Sequence, residues 1–344
     1  MQKIKFFGLL SILVLASMIL ASCAPAAAPT EAPAAPATEA PAAPATEAPA
    51  APAAVVCPPY KAGSVEFQSN PFYDLLYKGL KESTDASGGT LLRSVSGGDL
   101  KKELASVEDF LAQNIDVLFI SATDPVGSME AVRKANEAGV PVFFVALGPA
   151  DGQDVKYVTF IRSNDYNAAS EVAEYILKQI DYKGDVVLAD GPQVSVVLER
   201  MKAYKDVIAK YPDVKIAGTA MKEEVTIPAN ATMIENLLTA APNAKAVFDY
   251  AGYGIPAAAT VLPNLGKQDV YVGEIDGLPE EIALLASGDV KGATAQQQPE
   301  LFGKMAVEAW LKYCVDPNRT DILPLTEVPT LLITSENAKD YLPK

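Results

Sequence analysis

Residues 62–80 read Ala-Gly-Ser-Val-Glu-Phe-Gln-Ser-Asn-Pro-Phe-Tyr-Asp-Leu-Leu-Tyr-Lys-Gly-Leu. The first six residues are a short extended run, and a helix leaves the segment, with Phe72, Leu75, Leu76, Gly79 and Leu80 spaced to share one face. Asn70 suits the cap of that helix, and Pro71 suits its first turn, where the missing N–H leaves nothing unpaired. An amide and two aromatic rings, Phe72 and Tyr73, therefore follow the carboxyl end of a first strand. In open α/β sheets that edge is where small ligands bind. The same residues also fit a plain cap with two core rings, and the segment alone leaves both readings open.

Working outward, β-rich runs alternate with helical ones. Strands are expected at 90–95, 115–121, 140–146, 157–161, 185–189, 214–218, 246–250, 270–275 and 330–333. Helices are expected at 100–112, 125–138, 167–179, 196–210, 228–240 and 299–313. Such regular alternation argues for parallel sheets covered by helices on both faces, and the apolar runs 117–120, just after Asp116, and 142–145 fit strands buried on both sides. The expected fold class is α/β, and about 280 residues of such units suit two doubly wound domains better than one sheet.

The chain contains no histidine, which removes Ser-His and Cys-His nucleophile pairs, imidazole bases and histidine metal sites. A formal charge of −15 argues against nucleic acid, whose phosphates need a clustered basic surface. No Walker loop, Gly-x-Ser-x-Gly, Cys-x-x-Cys or strand-borne Gly-x-Gly-x-x-Gly is present, so no enzyme, cofactor or metal is expected. Residues 316–321 offer oxygen donors but lack the calcium-loop glutamate and read as a polar turn.

The amino terminus reads as an export signal, with Lys3 and Lys5 before an apolar core at 6–20. Leu20-Ala21-Ser22-Cys23 is similar to the lipobox of bacterial lipoproteins, in which Cys23 would be freed and acylated. Cleavage after residue 22 removes both lysines and takes the formal charge from −15 to −17. No other stretch is long and apolar enough to span a bilayer. Thr-Glu-Ala-Pro-Ala-Ala-Pro-Ala then repeats without error from Thr30 to Ala53. Frequent proline excludes a helix and alanine supplies no core, so residues 24–56 read as a semi-rigid spacer of at most roughly 100 Å. The folded part is thus expected outside the cytoplasm, lipid-anchored to the cell membrane.

Several ordered segments carry a resemblance to a known family. They are Val65–Tyr73, Asp116–Pro125, Ala135–Val142, Ser163-Asn164-Asp165, Asn236-Leu237-Leu238, Ala246-Val247-Phe248, Asp269–Gly273, Asp276-Gly277 and Ala293–Pro299. In this order they resemble the bacterial periplasmic sugar-binding proteins of the ribose-binding type. The resemblance covers essentially everything after residue 60. It implies two lobes joined by three hinge crossings, closing as a monomer on one small solute that is handed to the permease of an ABC importer. The implied divisions are 57–163 with 297–326 for the first lobe, and 164–296 with 327–344 for the second. A sensory receptor of the same fold, presenting an autoinducer-like ligand to a membrane partner, is the rival reading.

Carried over residue by residue, Asn70, Phe72 and Tyr73 match first-lobe contacts, while Asp276 and Gln297 match contacts from the second lobe and a hinge. Carboxylate, amide and aromatic groups suit a sugar or polyol. Tyr250 and Tyr253 could fill volume left by missing polar groups or belong to the lobe core. The pattern also departs from the family. Ala146-Leu147 stands where an Asp-Arg pair is usual, Leu198 where an arginine is expected, Ala251-Gly252 where Asn-Asp is expected, and Val225 where an aromatic is expected. Arg200, near Lys202 and Lys205, reads as a solvated or lobe-packing cation, Asp124 as a cap, and Asn164 and Asp165 as hinge and cap residues. Cys57 and Cys314 both fall at the floor of the first lobe, away from the ligand. Sequence does not fix the lateral position of the helix bearing Cys314, so a disulfide and two unpaired thiols both stay open.

Overall fold

The computed structural model describes residues 57–342; the signal segment, Cys23 and the repeat spacer lie outside the described residues. Strand β1 (Lys61–Glu66) enters helix α1 (Pro71–Ala86) through the Asn70 cap, whose Oδ1 accepts from the Tyr73 amide at 3.0 Å. From there the chain forms two doubly wound lobes.

The first sheet adds β2 (Thr90–Val95), β3 (Val117–Ile120), β4 (Val142–Val145), β5 (Thr159–Ser163) and β11 (Leu325–Val328). Its order is β11-β5-β4-β3-β1-β2, and every pairing is parallel. The second sheet contains β6 (Gly184–Asp190), β7 (Val214–Met221), β8 (Ala244–Asp249), β9 (Tyr271–Asp276), β10 (Lys291–Gln296) and β12 (Leu331–Thr334). Its order is β12-β10-β9-β8-β6-β7, with only the edge strand β12 antiparallel.

Alternation along the strands splits the first lobe's core into two layers. Phe119, Phe143 and Ile161 pack toward α1 and α9 (Pro299–Val315), with Phe302 and Trp310. Leu118, Phe144 and Phe160 pack on the other face, toward α2 (Leu100–Ala112) and α3 (Met129–Glu137). Trp310 lies deep in this core, with its ring centroid 5.6 Å from that of Tyr60. The second lobe has one continuous core, built with α4 (Asp165–Gln179), α5 (Ser195–Ile208), α6 (Ile227–Ala240), α7 (Gly254–Leu265) and α8 (Pro279–Ser287).

The chain crosses between sheets after β5, after β10 and after β11. The third crossing lies later than the boundary expected at 326/327. Strand β11 continues through Glu327 and Val328, which pair with Arg162 and Ser163, so Pro329 and Thr330 make the passage. Helix α3 also starts later than expected. Asp124 Oδ1 accepts from the amides of Val126 and Gly127 at 2.8 and 2.6 Å, which winds residues 124–128 into a turn ahead of the helix.

Helices α1 and α9 cross at two glycines. A Cβ on Gly79 would meet the Glu300 carbonyl oxygen at 2.0 Å, and one on Gly303 the Leu76 carbonyl oxygen at 2.5 Å. This crossing fixes the lateral placement of α9. Its last turn brings Cys314 to Cys57, and the two are joined in a disulfide with Cα atoms 5.6 Å apart. Among the described residues, no helix is long and apolar enough to cross a membrane.

Candidate ligand-binding cleft

All parallel strands of both lobes point their carboxyl ends at the gap between the sheets, and the loops there enclose about 590 Å3 of space, part of it open to solvent. The six residues singled out from sequence, Asn70, Phe72, Tyr73, Tyr250, Asp276 and Gln297, all line this one cleft.

Asn70 serves at once as cap and as cleft residue. Its Oδ1 caps α1, while its Nδ2 donates across the cleft to the Tyr253 hydroxyl at 3.0 Å. Phe72 and Tyr73 likewise combine both roles, packing edge to face at 5.2 Å between ring centroids while bordering the cleft. Phe72 also packs on Phe302 of α9, so the aromatic floor of the site is the end of the first lobe's core.

From the second lobe, Asp276 closes β9. Its φ of 136° lies where side chains are rare, and Gly277 follows at φ 65°. A Cβ on Gly277 would sit 2.4 Å from the Gln296 Cα, so this turn needs glycine. The strained backbone presents the carboxylate to a ring of partners. Gln297 Nε2 donates to Asp276 Oδ1 at 2.6 Å, and the Gly252 amide donates to Oδ2 at 3.1 Å. The three consecutive glutamines divide their work. Gln296 donates to the Gly277 carbonyl, Gln297 faces the cleft, and Gln298 donates to the Pro329 carbonyl at the hinge.

Arg200 corrects the sequence reading. It is only 4 % exposed, neither solvated nor peripheral, and it lines the cleft. Its Nε donates to Asp165 Oδ1 at 2.7 Å, its Nη1 donates to the Tyr250 carbonyl at 2.9 Å, and Nη1 lies 3.6 Å from Asp276 Oδ1. Of the expected hinge and cap pair, Asn164 caps α4, while Asp165 is a buried counter-charge to Arg200. Leu198, taken as the vacated arginine position, is 47 % exposed and does not border the cleft. Helix phase explains the difference, because two residues are about 200° of rotation. Burial pushes both Asp165 and Asp276 upward, and the Arg200 guanidinium opposes that shift.

Ala146, Leu147, Val225 and Ala251, the other departures, do border the cleft. They are joined by residues that sequence reading did not select, notably Phe67 and Gln68 beside the first strand and Val194 and Val197 at the start of α5. Gln68 could have been found from its place next to Asn70. The valines carry no chemical signature that marks a site.

Behind Asp276 lies a buried acidic group formed by Asp249, Glu274 and Glu281. Glu281 Oε2 accepts from the Gly277 amide and the Thr294 hydroxyl, and Oε1 accepts from the Leu278 amide. It thus braces the Asp276-Gly277 turn from below. Among the described residues no group of three or more acidic or cysteine side chains is arranged to hold a metal ion.

Comparison with known proteins agrees with this architecture. A family model for the periplasmic binding protein domain matches residues 62–315. The ribose import binding protein of Bacillus subtilis is 28% identical over 247 residues, 72% of this chain and 78% of that protein. The galactofuranose-binding protein of Escherichia coli is 24% identical over 274 residues, 77% of this chain and 84% of that protein. Among solved structures, an ABC transporter solute binding protein from Mycobacterium smegmatis with bound glycerol superposes with a TM-score of 0.76 at 23% identity, covering 83% of this chain and 98% of that one.

Proposed function

The chain belongs to the periplasmic binding protein family, whose members act outside the cytoplasm as solute binders rather than enzymes, and we propose that it is the solute receptor of an ABC importer. The ligand is a small neutral polyhydroxylated molecule, a sugar or polyol, held between lobes that close by hinge motion. One observation carries this reading: the cleft at the strand ends gathers an amide from each side, a carboxylate and a guanidinium next to the Phe72 and Tyr73 rings. Hydroxyls need donors and acceptors together, and sugar C–H faces need aromatic surface. An anionic ligand is disfavoured, because the charge of Arg200 is already met by Asp165 and Asp276. The names of the curated relatives, which include ribose import, favour import over signalling. Asn70, Phe72, Tyr73, Tyr250, Asp276 and Gln297, with Arg200 added, are the contacts we assign.

The remaining parts of the proposal concern tethering and partners. Cys23 carries the lipid, the alanine-proline repeat holds a monomeric receptor clear of the membrane, and a permease receives the ligand. Thermal denaturation across monosaccharides, polyols and nucleosides tests the ligand class. A true ligand at 100 times its Kd adds about 2.7 kcal/mol, a shift of several degrees. No shift with any sugar or polyol would overturn the assignment. Cys23→Ala should move the protein out of the membrane fraction without changing the ligand-induced shift, and a variant that stays with membranes would remove the anchor.

A further inference from the structure

The cleft is chemically divided, and most bonding capacity at its polar end is already committed. Asn70 gives one N–H to Tyr253 and its oxygen to the α1 cap, Asp276 receives Gln297 and Gly252, and Arg200 serves Asp165 and the Tyr250 carbonyl. What remains among the described residues is the second N–H of Asn70, one N–H and the carbonyl of Gln297, the Tyr73 hydroxyl, the Tyr250 and Tyr253 protons, spare lone pairs on Asp276, the spare Arg200 N–H groups and the Gln68 amide. That set serves a few hydroxyls on one edge of a ligand.

The rest of the lining is largely hydrocarbon. Ala146 and Leu147 come from the first lobe, and Val194, Val197 and Val225 from the second. Leu147 is 5 % exposed and packs with the apolar residues of the second lobe, so hydrocarbon meets hydrocarbon across the gap. A hydroxyl set against these side chains loses its water and finds no replacement partner, whereas a methyl group gains from the same burial.

Resting on the receptor reading above, we infer that the preferred ligand is a polyol with an alkyl edge, a deoxy or methyl-bearing sugar, and that Ala146 and Leu147 set this preference. A wholly apolar ligand does not fit, because the committed Asn70–Arg200–Asp276–Gln297 end would be covered without partners for its spare groups. A fully hydroxylated sugar does not fit either, because its far edge would meet only carbon.

The test is calorimetric titration with matched pairs that differ by one hydroxyl: L-fucose against L-galactose, L-rhamnose against L-mannose, and deoxyribose against ribose. At least one deoxy sugar should bind tenfold or more tightly than its parent, the discrimination that a single group in an apolar pocket supplies. Leu147→Gln, close in volume, and the double variant Ala146→Asp/Leu147→Arg should each shrink or invert that ratio. Aspartate tolerates the left-handed backbone of Ala146, at φ 65°. Should the double variant fail to fold, Leu147→Gln alone decides. If parents bind as well as or better than every deoxy partner, this inference fails and the receptor reading stands. If neither member of any pair binds and no polyol shifts the melting temperature, both fail. An unchanged ratio in a folded Leu147→Gln overturns the role given to that residue.

Discussion

Glu281 shows how much the site depends on charges that never touch solvent. Burial and the neighbouring Asp276 push its carboxyl up to about 8 from an ordinary 4.5, while Glu274 and Asp249 nearby are also raised, first by burial. The folded protein therefore holds a proton that the unfolded chain releases. A raised carboxyl stabilises fully below its unfolded value, and the contribution fades as pH rises through the folded one. Melting temperature should fall from about pH 5 to about pH 9, and Glu281→Gln should flatten that fall, since the amide is neutral at every pH in that range. A variant with the same slope as the parent would move the effect elsewhere. None of this was visible in the sequence, where Glu280-Glu281 looks like the acidic first turn of a helix. Arg200 escaped for the same reason: Asp165 lies 35 residues away, and only the fold makes them neighbours. Asp276 and Gln297 were legible because each sits at a strand end close to a residue with local meaning, Gly277 directly after the one and Pro299 two residues after the other.

At the scale of elements, the α1–α9 crossing connects the ligand edge to the chain's last long helix. Gly79 was expected on the apolar face of α1, but nothing local says that a second glycine opposes it. Intrinsic propensity favours alanine over glycine in a helix by about 1 kcal/mol. Gly79→Ala should nevertheless destabilise by about 1–3 kcal/mol, because its Cβ would fall 2.0 Å from a backbone oxygen that cannot rotate away. Denaturant unfolding measures this, and a variant as stable as the parent would mean that the helices can separate freely. Strong periodicity made α1, α2 and α4 readable. Strands β10 and β11 and helices α7 and α8 were not expected. β10 is Lys-Gly-Ala-Thr-Ala-Gln, nearly without the branched residues that mark strands, yet it is buried between β9 and β12. Helix α7 carries Pro256 and Pro263, which read as breaks, although one falls in its first turn and the other near its end.

At the scale of the molecule, the Cys57–Cys314 bridge and the ligand cleft sit at opposite ends of the first lobe. Cys57 precedes β1, whose carboxyl end feeds the cleft, and Cys314 ends α9, which starts at the hinge next to Gln297 and runs away from it. The two-lobe plan was legible from alternation alone, but the bridge needed the glycine crossing that sets α9 beside α1. The bridge spans 257 positions of sequence and so encloses most of the fold, including all of the second lobe before β12. In the chain-entropy model a loop of that length stabilises by roughly 5 kcal/mol, an upper figure. It acts on the unfolded chain, however, and ties two elements that already belong to one lobe, so it places no restraint on hinge closure. Cys57→Ser/Cys314→Ser should therefore lose several degrees or more of melting temperature while keeping its ligand affinity within about twofold, well under the tenfold that 1.4 kcal/mol represents. The outcome that contradicts this is a variant whose affinity falls in step with its stability, since that would tie the bridge to closure. A free-thiol count on unfolded, unreduced protein lacking Cys23 checks the premise: two reactive thiols would mean that the bridge does not form, and none is the expected result.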